Sequence, residues 1–267
     1  MTLVVGILCS DGVVMASDSA ATYGDASASL TIGQQQVTKL KQVGTCYWLY
    51  ASSGAIGISQ ILSSAIEKAF NAGELASGRD VKTPPDSMHK LGQLVAQHVQ
   101  PYFRNASLGA EFLGHGAAGM TVTCSSLVAY CFQNQPCLFQ IAPSGAPEQA
   151  TAELPFVALG SGQGIADPFL AFIKRVLWRN AQPSLAQGRF AAAWTIRHAT
   201  ETNPGGVGGP LQMATLSIEA TTPKIEFSGF EQHQSAIDGA EDALRGYFAK
   251  GDVPQEPPEA PKPASGA

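Results

Sequence analysis

The chain has 267 residues, of which 45% are hydrophobic and 14% charged, and its net charge at pH 7 is −5. This composition predicts a folded protein with a substantial core, because disordered chains are poorer in apolar side chains and richer in charge. The negative net charge disfavours nucleic acid as a partner. No apolar run approaches the roughly 20 residues of a membrane helix, so we expect no membrane partner and a cytoplasmic location.

The first half of the chain alternates between strand and helix patterns. A strand hairpin around the turn Asp11-Gly12 is followed by a polar loop, two strands, two amphipathic helices and three short strands. The predicted segments are residues 2–8 with 13–18, 22–29, 36–43 with 46–52, 58–70, 86–102, 118–124, 127–132 and 138–141.

The second half also alternates between strands and helices. It holds a loop, a strand, a helix that begins near Asp167-Pro168, a further helix, a glycine-rich connector, a hairpin and a last helix. The corresponding segments are residues 143–152, 156–159, 167–177, 184–200, 203–210, 212–218 with 223–227, and 231–249. Two helices on each side of stacked sheets predict an α+β fold, a four-layer αββα sandwich, although the pattern alone does not select it over other α+β folds.

The chain is predicted to form a single domain over residues 1–250, followed by a tail over residues 251–267. This tail is rich in proline, and Val253 is its one large apolar side chain. A segment of this composition cannot form a packed core, so we expect disorder or polyproline structure.

Cysteine and histidine show no ligand spacing. The five cysteines are odd in number and form no C-x-x-C pair, so buried, reduced thiols are expected rather than a disulfide framework or zinc site. They are Cys9, Cys46, Cys124, Cys131 and Cys137. The five histidines are scattered, and we expect neither a metal nor another cofactor.

The start of the chain combines a nucleophile with a base. Removal of Met1 would give Thr2 both its hydroxyl and a free α-amine, whose pKa of about 8 suits proton transfer near pH 7. A nearby ammonium would lower the pKa of both groups, and a carboxylate would hold that ammonium in place. Lys39 and Asp18 have the right chemistry for these two roles, but their spacing alone does not select them.

The motif over residues 2–22 resembles the start of a mature proteasome β-subunit. It reads Thr-x-x-Val-Gly-Ile-x-x-x-Asp-Gly-Val-Val-x-Ala-x-Asp-Ser-x-Ala-Thr. It is also similar to the HslV peptidase and, among bacterial relatives, to the betaproteobacterial proteasome homologue. The resemblance is dense over residues 2–57 and weaker to about residue 230. It implies the fold of N-terminal nucleophile hydrolases and a threonine-type endopeptidase.

The resemblance also implies roles for individual residues. Thr2 matches the catalytic threonine, Asp18 the aspartate of the Asp-Ser pair and Lys39 the catalytic lysine. Ser53 falls where the family has a glycine whose backbone N–H binds the oxyanion, a role open to any residue with that N–H. Ser161 matches the serine near the threonine amine.

Other parts of the match are looser. Glu201 falls near the aspartate that assists this serine. The loop between Asp18 and Lys39 is longer than in the family, so Lys39 is chosen by motif and Lys41 is the alternative. Ala20 stands where the family has arginine. Only Met1 precedes Thr2 in this sequence, so exposure of Thr2 is expected to need only methionine removal.

The family also implies partners. We expect a homo-oligomeric double ring with enclosed sites, unfolded proteins or peptides as substrates, and an ATP-dependent unfoldase. The Pro-rich tail could line or plug a ring opening.

Two alternatives remain open, and a third is disfavoured. If Met1 is retained, the chain would be a non-catalytic ring or scaffold subunit. An N-terminal nucleophile amidase would act on a small amide instead of a peptide. The run Gly160-x-Gly162-x-Gly164 suggests a dinucleotide loop, but it lacks the G-x-G-x-x-G spacing and a strand-ending acid about 20 residues on, so this interpretation is disfavoured.

Overall fold

The computed structural model describes residues 2–23, 33–43, 47–72, 74–75, 83–112, 124–203, 207–219 and 222–249. Its strands are β1 Val4–Cys9, β2 Gly12–Ser17, β3 Ala20–Tyr23, β4 Gly33–Gln36, β5 Leu40–Gln42, β6 Trp48–Gly54, β7 Cys124–Phe132, β8 Gln135–Ile141, β9 Pro147–Gln149, β10 Phe156–Leu159, β11 Gln212–Glu219 and β12 Thr222–Ser228. Its helices are α1 Ile56–Asn71, α2 Pro84–Phe112, α3 Gln163–Val176, α4 Leu185–Thr202 and α5 Glu231–Ala249.

Two antiparallel five-stranded sheets form the centre of the fold. Their strand orders are β10-β1-β2-β11-β12 and β5-β6-β7-β8-β9, and β3 and β4 pair separately. Every residue of β1 and β2 is buried, because these strands lie inside the first sheet and both of its faces are covered. That is why their sequences read as nearly continuous apolar runs instead of alternating with polar residues.

The chain forms the predicted four-layer αββα sandwich. One apolar cluster joins the first sheet to α3 and α4, a second joins the other sheet to α1 and α2, and a third fills the space between the sheets. Gly6 allows the two sheets to approach, since a Cβ at this position would lie 2.6 Å from Leu127 and 3.0 Å from Leu138. Helix α5 packs on α4 and buries Ile237.

Most predicted elements are confirmed, with shifted ends. The opening hairpin, both helix pairs, the last hairpin and the last helix are present. Helix α2 is longer than predicted and continues through Pro101 to Phe112. Helix α3 begins at Gln163, ahead of Asp167. The segment expected to be a loop over residues 143–152 contains β9, which pairs with β8.

The strand predicted over residues 36–43 is wrong in one respect. It is divided into the end of β4 and the short β5, and residues 37–39 between them belong to neither strand. The Val37 N–H donates to the Ser19 carbonyl at 2.8 Å, and the amides of Lys39 and Leu40 bind a side chain described below.

Several predicted features lie outside the described residues. They are the loop residues 24–29, the connection at 44–45 with Cys46 of the following predicted strand, the strand residues 118–123, part of the connector at 204–206 and the tail at 251–267. Among the helices that are described, none combines the length and apolar character needed to cross a membrane.

Candidate active site

Asp18 follows the end of β2 and is fully buried. Its Oδ1 accepts hydrogen bonds from Leu3 N at 2.8 Å and Lys39 Nζ at 2.6 Å. Its Oδ2 accepts from Ala20 N at 3.2 Å and Gly208 N at 3.3 Å. A buried carboxylate needs such partners, and here three backbone N–H groups and one ammonium supply them.

Lys39 lies just before β5, and its side chain is only 7% exposed. Burial lowers the pKa of this ammonium below its ordinary value, while the charge of Asp18 and its hydrogen bond act in the opposite direction. Lys39 is therefore a desolvated ammonium held by the Asp18 carboxylate, and such a group can perturb the pKa of a neighbour.

Thr2 precedes β1 and lies next to this ion pair, because the amide of the following residue is bound to Asp18. The Thr2 nitrogen donates to Ser161 Oγ at 3.2 Å, and Ser161 Oγ donates back to the Thr2 carbonyl at 3.4 Å. The amide of Gly162 also donates to that carbonyl, at 3.3 Å. While Met1 is attached, the Thr2 nitrogen is an amide. After cleavage the same atom would be the α-amine, already in contact with the Ser161 hydroxyl.

The glycine-rich loop between β10 and α3 packs against Thr2. Gly160 has a φ of +99°, and a Cβ at this position would lie 2.1 Å from the Thr2 carbonyl oxygen. A glycine is required here both by the backbone conformation and by the close approach. Gly160 and Gly162 therefore hold the start of the chain, a role that accounts for them without a nucleotide.

A cleft of about 170 Å³ opens beside Thr2, between β5, the end of β6 and the start of α1. It is lined by Thr2, Ala21, Val37, Thr38, Lys39, Lys41, Tyr50, Ser52, Gly54, Ile56, Ser59 and Gln60. Ser53 flanks the site, since its Oγ lies 2.8 Å from the Cβ position at Gly160, next to the Thr2 carbonyl. The cleft could admit one substrate side chain next to the Thr2 hydroxyl.

The structure does not bring Glu201 to this group. Its carboxylate accepts a hydrogen bond from Arg197 at 2.9 Å, one turn earlier on α4, and its side chain is 60% exposed. It lines a separate cleft between α4 and α5 that includes Phe230. The sequence alignment at this position was loose, and among the described residues Ser161 has no hydrogen bond to Glu201.

The described cysteines are unsuited to be nucleophiles in place of Thr2. Cys9, Cys124, Cys131 and Cys137 are free and mostly buried. Burial raises the pKa of Cys9 to about 12 and that of Cys124, which lies close to the cleft, to about 11. They are thiols rather than thiolates at neutral pH. Within the described part of the chain, no three His, Cys, Asp or Glu side chains are grouped so as to hold a metal ion.

Two residues of the site could not be found from sequence. Gly208 contributes a backbone N–H to Asp18 from 190 positions away. Gln212, the first residue of β11, binds the backbone around Lys39 with its side-chain amide. A glycine in a connector and a glutamine in a strand give no pattern that points to such long-range contacts.

Comparisons with known proteins show which proteins this chain is similar to. The model of the proteasome subunit family matches residues 2–172. A proteasome subunit beta from Methanococcus aeolicus is 30% identical over 149 residues, which are 55% of this chain and 62% of that protein. The match thus spans less than two thirds of that relative.

Solved structures show the same fold. Anbu from Yersinia bercovieri, described as an ancestral beta-subunit, has a TM-score of 0.70 and 19% identity, over 97% of this chain and 99% of that one. Anbu from Pseudomonas aeruginosa, described as a helical assembly, has a TM-score of 0.69 and 20% identity, over 96% of this chain and 98% of that one. Together with the family match, they indicate the fold of N-terminal nucleophile hydrolases.

Proposed function

The chain belongs to the proteasome subunit family, and on this basis we propose that it is a threonine-type endopeptidase that acts through Thr2 once Met1 is removed. The observation that carries the proposal is the buried Lys39–Asp18 pair directly beside the first residues of β1. A buried ammonium next to an N-terminal threonine has a chemical use, since it lowers the pKa of the amine and the hydroxyl.

The proposed reaction uses the two functional groups of Thr2. The hydroxyl oxygen attacks the peptide carbonyl while its proton passes to the α-amine, directly or through a water. The amine then returns this proton to the leaving nitrogen, the peptide C–N bond breaks, and an ester joins the acyl group to Thr2. A water molecule hydrolyses the ester by the same proton transfers in reverse and restores the hydroxyl.

The remaining residues support these steps. Asp18 holds Lys39, and Lys39 keeps the Thr2 amine neutral near pH 7. The backbone N–H of Ser53 is the proposed donor to the oxyanion of the tetrahedral intermediate. The Ser161 hydroxyl orients the amine. Glu201 has no role in this mechanism, because its contacts lie elsewhere.

Enclosure would suit a site of this kind. A threonine with an amine base has little means of choosing among peptide bonds, so confinement would protect folded proteins. We propose a cytoplasmic homo-oligomer that admits unfolded chains or peptides. An ATP-dependent unfoldase would supply the unfolded chains. A closed double ring is the proposed arrangement, and a helical arrangement like that of the Pseudomonas aeruginosa relative is the alternative. Electron microscopy of the purified particle separates the two.

The catalytic proposal is tested on the purified full chain. Intact-mass measurement shows whether Met1 is absent, and fluorogenic peptides measure hydrolysis. We expect loss of Met1, turnover of peptides, and loss of turnover on Thr2→Ala or on acetylation of the α-amine.

Three outcomes would contradict it. Turnover that survives Thr2→Ala would exclude Thr2 as the nucleophile, and turnover that survives acetylation would exclude its α-amine as the base. A retained Met1 with no turnover would identify a non-catalytic subunit. Turnover of small amides but not of peptides would identify an amidase of the same fold.

A further inference from the structure

The side chain of Gln212 ties the backbone around Lys39 to the first sheet. Its Oε1 accepts hydrogen bonds from Lys39 N at 2.9 Å and Leu40 N at 3.4 Å. Its Nε2 donates to the Val37 carbonyl at 2.7 Å. One carboxamide thus satisfies three backbone groups of a segment that lies more than 170 residues away in the sequence.

Two of those groups, the Val37 carbonyl and the Lys39 amide, lie in residues 37–39, which belong to neither β4 nor β5. Leu40 begins β5 and pairs with Ala51. All three hydrogen bonds are partly buried, and their loss would leave the segment to reorganise or become hydrated. Glutamine fits the position because a carboxamide offers a donor and an acceptor side by side, which no carboxylate or hydroxyl does with the same spacing.

The backbone of Gln212 is anchored next to the carboxylate that Lys39 binds. In the register of β2 and β11, Gln212 lies opposite Ser17, the residue before Asp18. The contacts therefore form a closed loop. Asp18 follows β2, β2 pairs with β11 at Gln212, the Gln212 side chain binds the backbone of Lys39, and the Lys39 ammonium binds Asp18. The 2.6 Å contact between Lys39 Nζ and Asp18 Oδ1 is the last link of this closure.

Lys39 needs such a support, because its ammonium is buried against the preference of a lysine for water. Burial is the larger influence on its pKa and opposes the charged form. A lysine on a loose segment would release the strain by turning toward solvent. We propose that Gln212 is a positioning residue for Lys39, which fixes the ammonium against Asp18 and beside Thr2. The proposal rests on the function proposed above.

The first test compares kinetics of Gln212→Leu with wild type. Leucine has a similar volume but no hydrogen-bonding group. We expect kcat for peptides to fall by at least about tenfold and to change more than KM, because Gln212 does not line the cleft and acts on it only through Val37 and Lys39. With the ammonium displaced, the pKa of the Thr2 amine rises, so the acidic limb of kcat/KM moves to higher pH.

Two further variants separate positioning from general stability. Gln212→Glu keeps the acceptor for Lys39 N and Leu40 N but loses the donor to the Val37 carbonyl, and its kcat should lie between those of wild type and Gln212→Leu. Thr215→Val is the matched control on the same strand, since it removes the hydrogen bond from Arg189 and touches neither Lys39 nor Asp18. It should leave the pH profile unshifted.

The second test does not need activity. Amide hydrogen exchange at Lys39 and Leu40, measured in a Thr2→Ala background, should be at least about tenfold faster in Gln212→Leu, because these amides lose their acceptor. An unshifted pH profile in Gln212→Leu, with active wild type, would overturn the inference and leave the proposed function standing.

If wild type hydrolyses no peptide, the proposed function fails, and the exchange rates then decide the structural part of the inference alone. Faster exchange supports Gln212 as the residue that holds the Lys39 segment, and unchanged exchange overturns it.

Discussion

Lys39 Nζ lies 2.6 Å from Asp18 Oδ1, and the two side chains are 7% and 0% exposed. This is a buried ion pair, in which the cost of removing two charges from water is offset only while both partners and their hydrogen bonds are present. Asp18 meets that condition through three backbone N–H groups, and Lys39 through its anchored segment. The pair is therefore sensitive to the loss of either charge.

Asp18→Asn should destabilise the protein and abolish peptide hydrolysis. Asparagine keeps the shape but removes the charge that raises the pKa of Lys39, so burial alone acts and the pKa falls further. We expect the free energy of unfolding to drop by about 3–5 kcal/mol, as for other buried pairs deprived of one partner. Denaturant titration and peptide turnover measure the two effects.

Asp11→Asn is the matched control for this variant. Asp11 lies at the turn of the same hairpin and accepts a hydrogen bond from Leu185 N at 2.7 Å, far from the ion pair. Asparagine keeps the Oδ1 acceptor and loses only the charge, so the variant should cost no more than about 1 kcal/mol and leave kcat unchanged. Equal losses of activity in the two variants would contradict a specific role for Asp18.

Lys39→Ala and Lys41→Ala should differ sharply, although both lysines line the cleft. Lys39 contacts Asp18, whereas Lys41 lies on β5 opposite Tyr50. We expect kcat to fall by at least about a hundredfold in Lys39→Ala, the usual cost of losing a group that assists proton transfer. Lys41→Ala should affect mainly KM. The reverse result in steady-state kinetics would assign the catalytic lysine to Lys41.

The alkaline limb of activity should lie at lower pH than the titration of an ordinary lysine. Burial lowers the pKa of Lys39 below 10.5, and the useful form is the protonated one, so kcat falls as pH rises through the lowered pKa. In the unfolded chain Lys39 has its ordinary, higher pKa. Between the folded and the unfolded pKa the unfolded chain binds more protons, so the contribution of Lys39 to the free energy of unfolding rises with pH. Loss of this proton therefore inactivates the site without itself unfolding the protein.

The measurement is the pH dependence of kcat for wild type and Lys39→Arg, with circular dichroism at each pH. Arginine stays charged, so the residual activity of the variant should show no alkaline limb in this range. An identical alkaline limb in both proteins would assign it to another group.

Gly160→Ala should inactivate the protein, while Gly164→Ala should not. The first adds a Cβ 2.1 Å from the Thr2 carbonyl at a position with φ of +99°, whereas the second has no atom within 4 Å of its new Cβ. Displacement of a reacting group by about 1 Å can reduce the rate about a hundredfold. Gly164→Ala lies in the first turn of α3 and should change stability by less than about 1 kcal/mol. Peptide turnover and thermal unfolding of both variants check this; equal activity in the two would exclude a positional role for Gly160.

The fold was largely predictable because its elements are strongly periodic. The buried hairpin of β1 and β2 and the amphipathic helices α1 and α2 each follow from local pattern, and their order restricts the layers. The division of the strand predicted at 36–43 was not predictable, because a side chain from β11 takes the place of a strand partner. Local propensity contains no information about such a contact.

The site was predictable where a motif covers it and unpredictable elsewhere. Thr2, Asp18 and Lys39 lie in the dense part of the resemblance, and the structure brings them together. Gly208 contributes a backbone N–H and Gln212 a side-chain amide. No spacing in the sequence predicts these long-range contacts. Glu201 was placed by a loose alignment, in which a shift of a residue or two on α4 turns the side chain toward a different surface.

Ser161→Ala and Glu201→Gln should separate a residue in contact with Thr2 from one that is not. Ser161 Oγ bonds both the nitrogen and the carbonyl of Thr2, at 3.2 and 3.4 Å. Its removal should lower kcat about tenfold, the effect of one hydrogen bond worth about 1.4 kcal/mol. Glu201 bonds Arg197 on the surface, and its neutral variant should change kcat by less than about twofold, as is usual for exposed ion pairs. Steady-state kinetics with one fluorogenic peptide measure both, and a comparable loss in Glu201→Gln would show that α4 approaches Thr2 in the assembled particle.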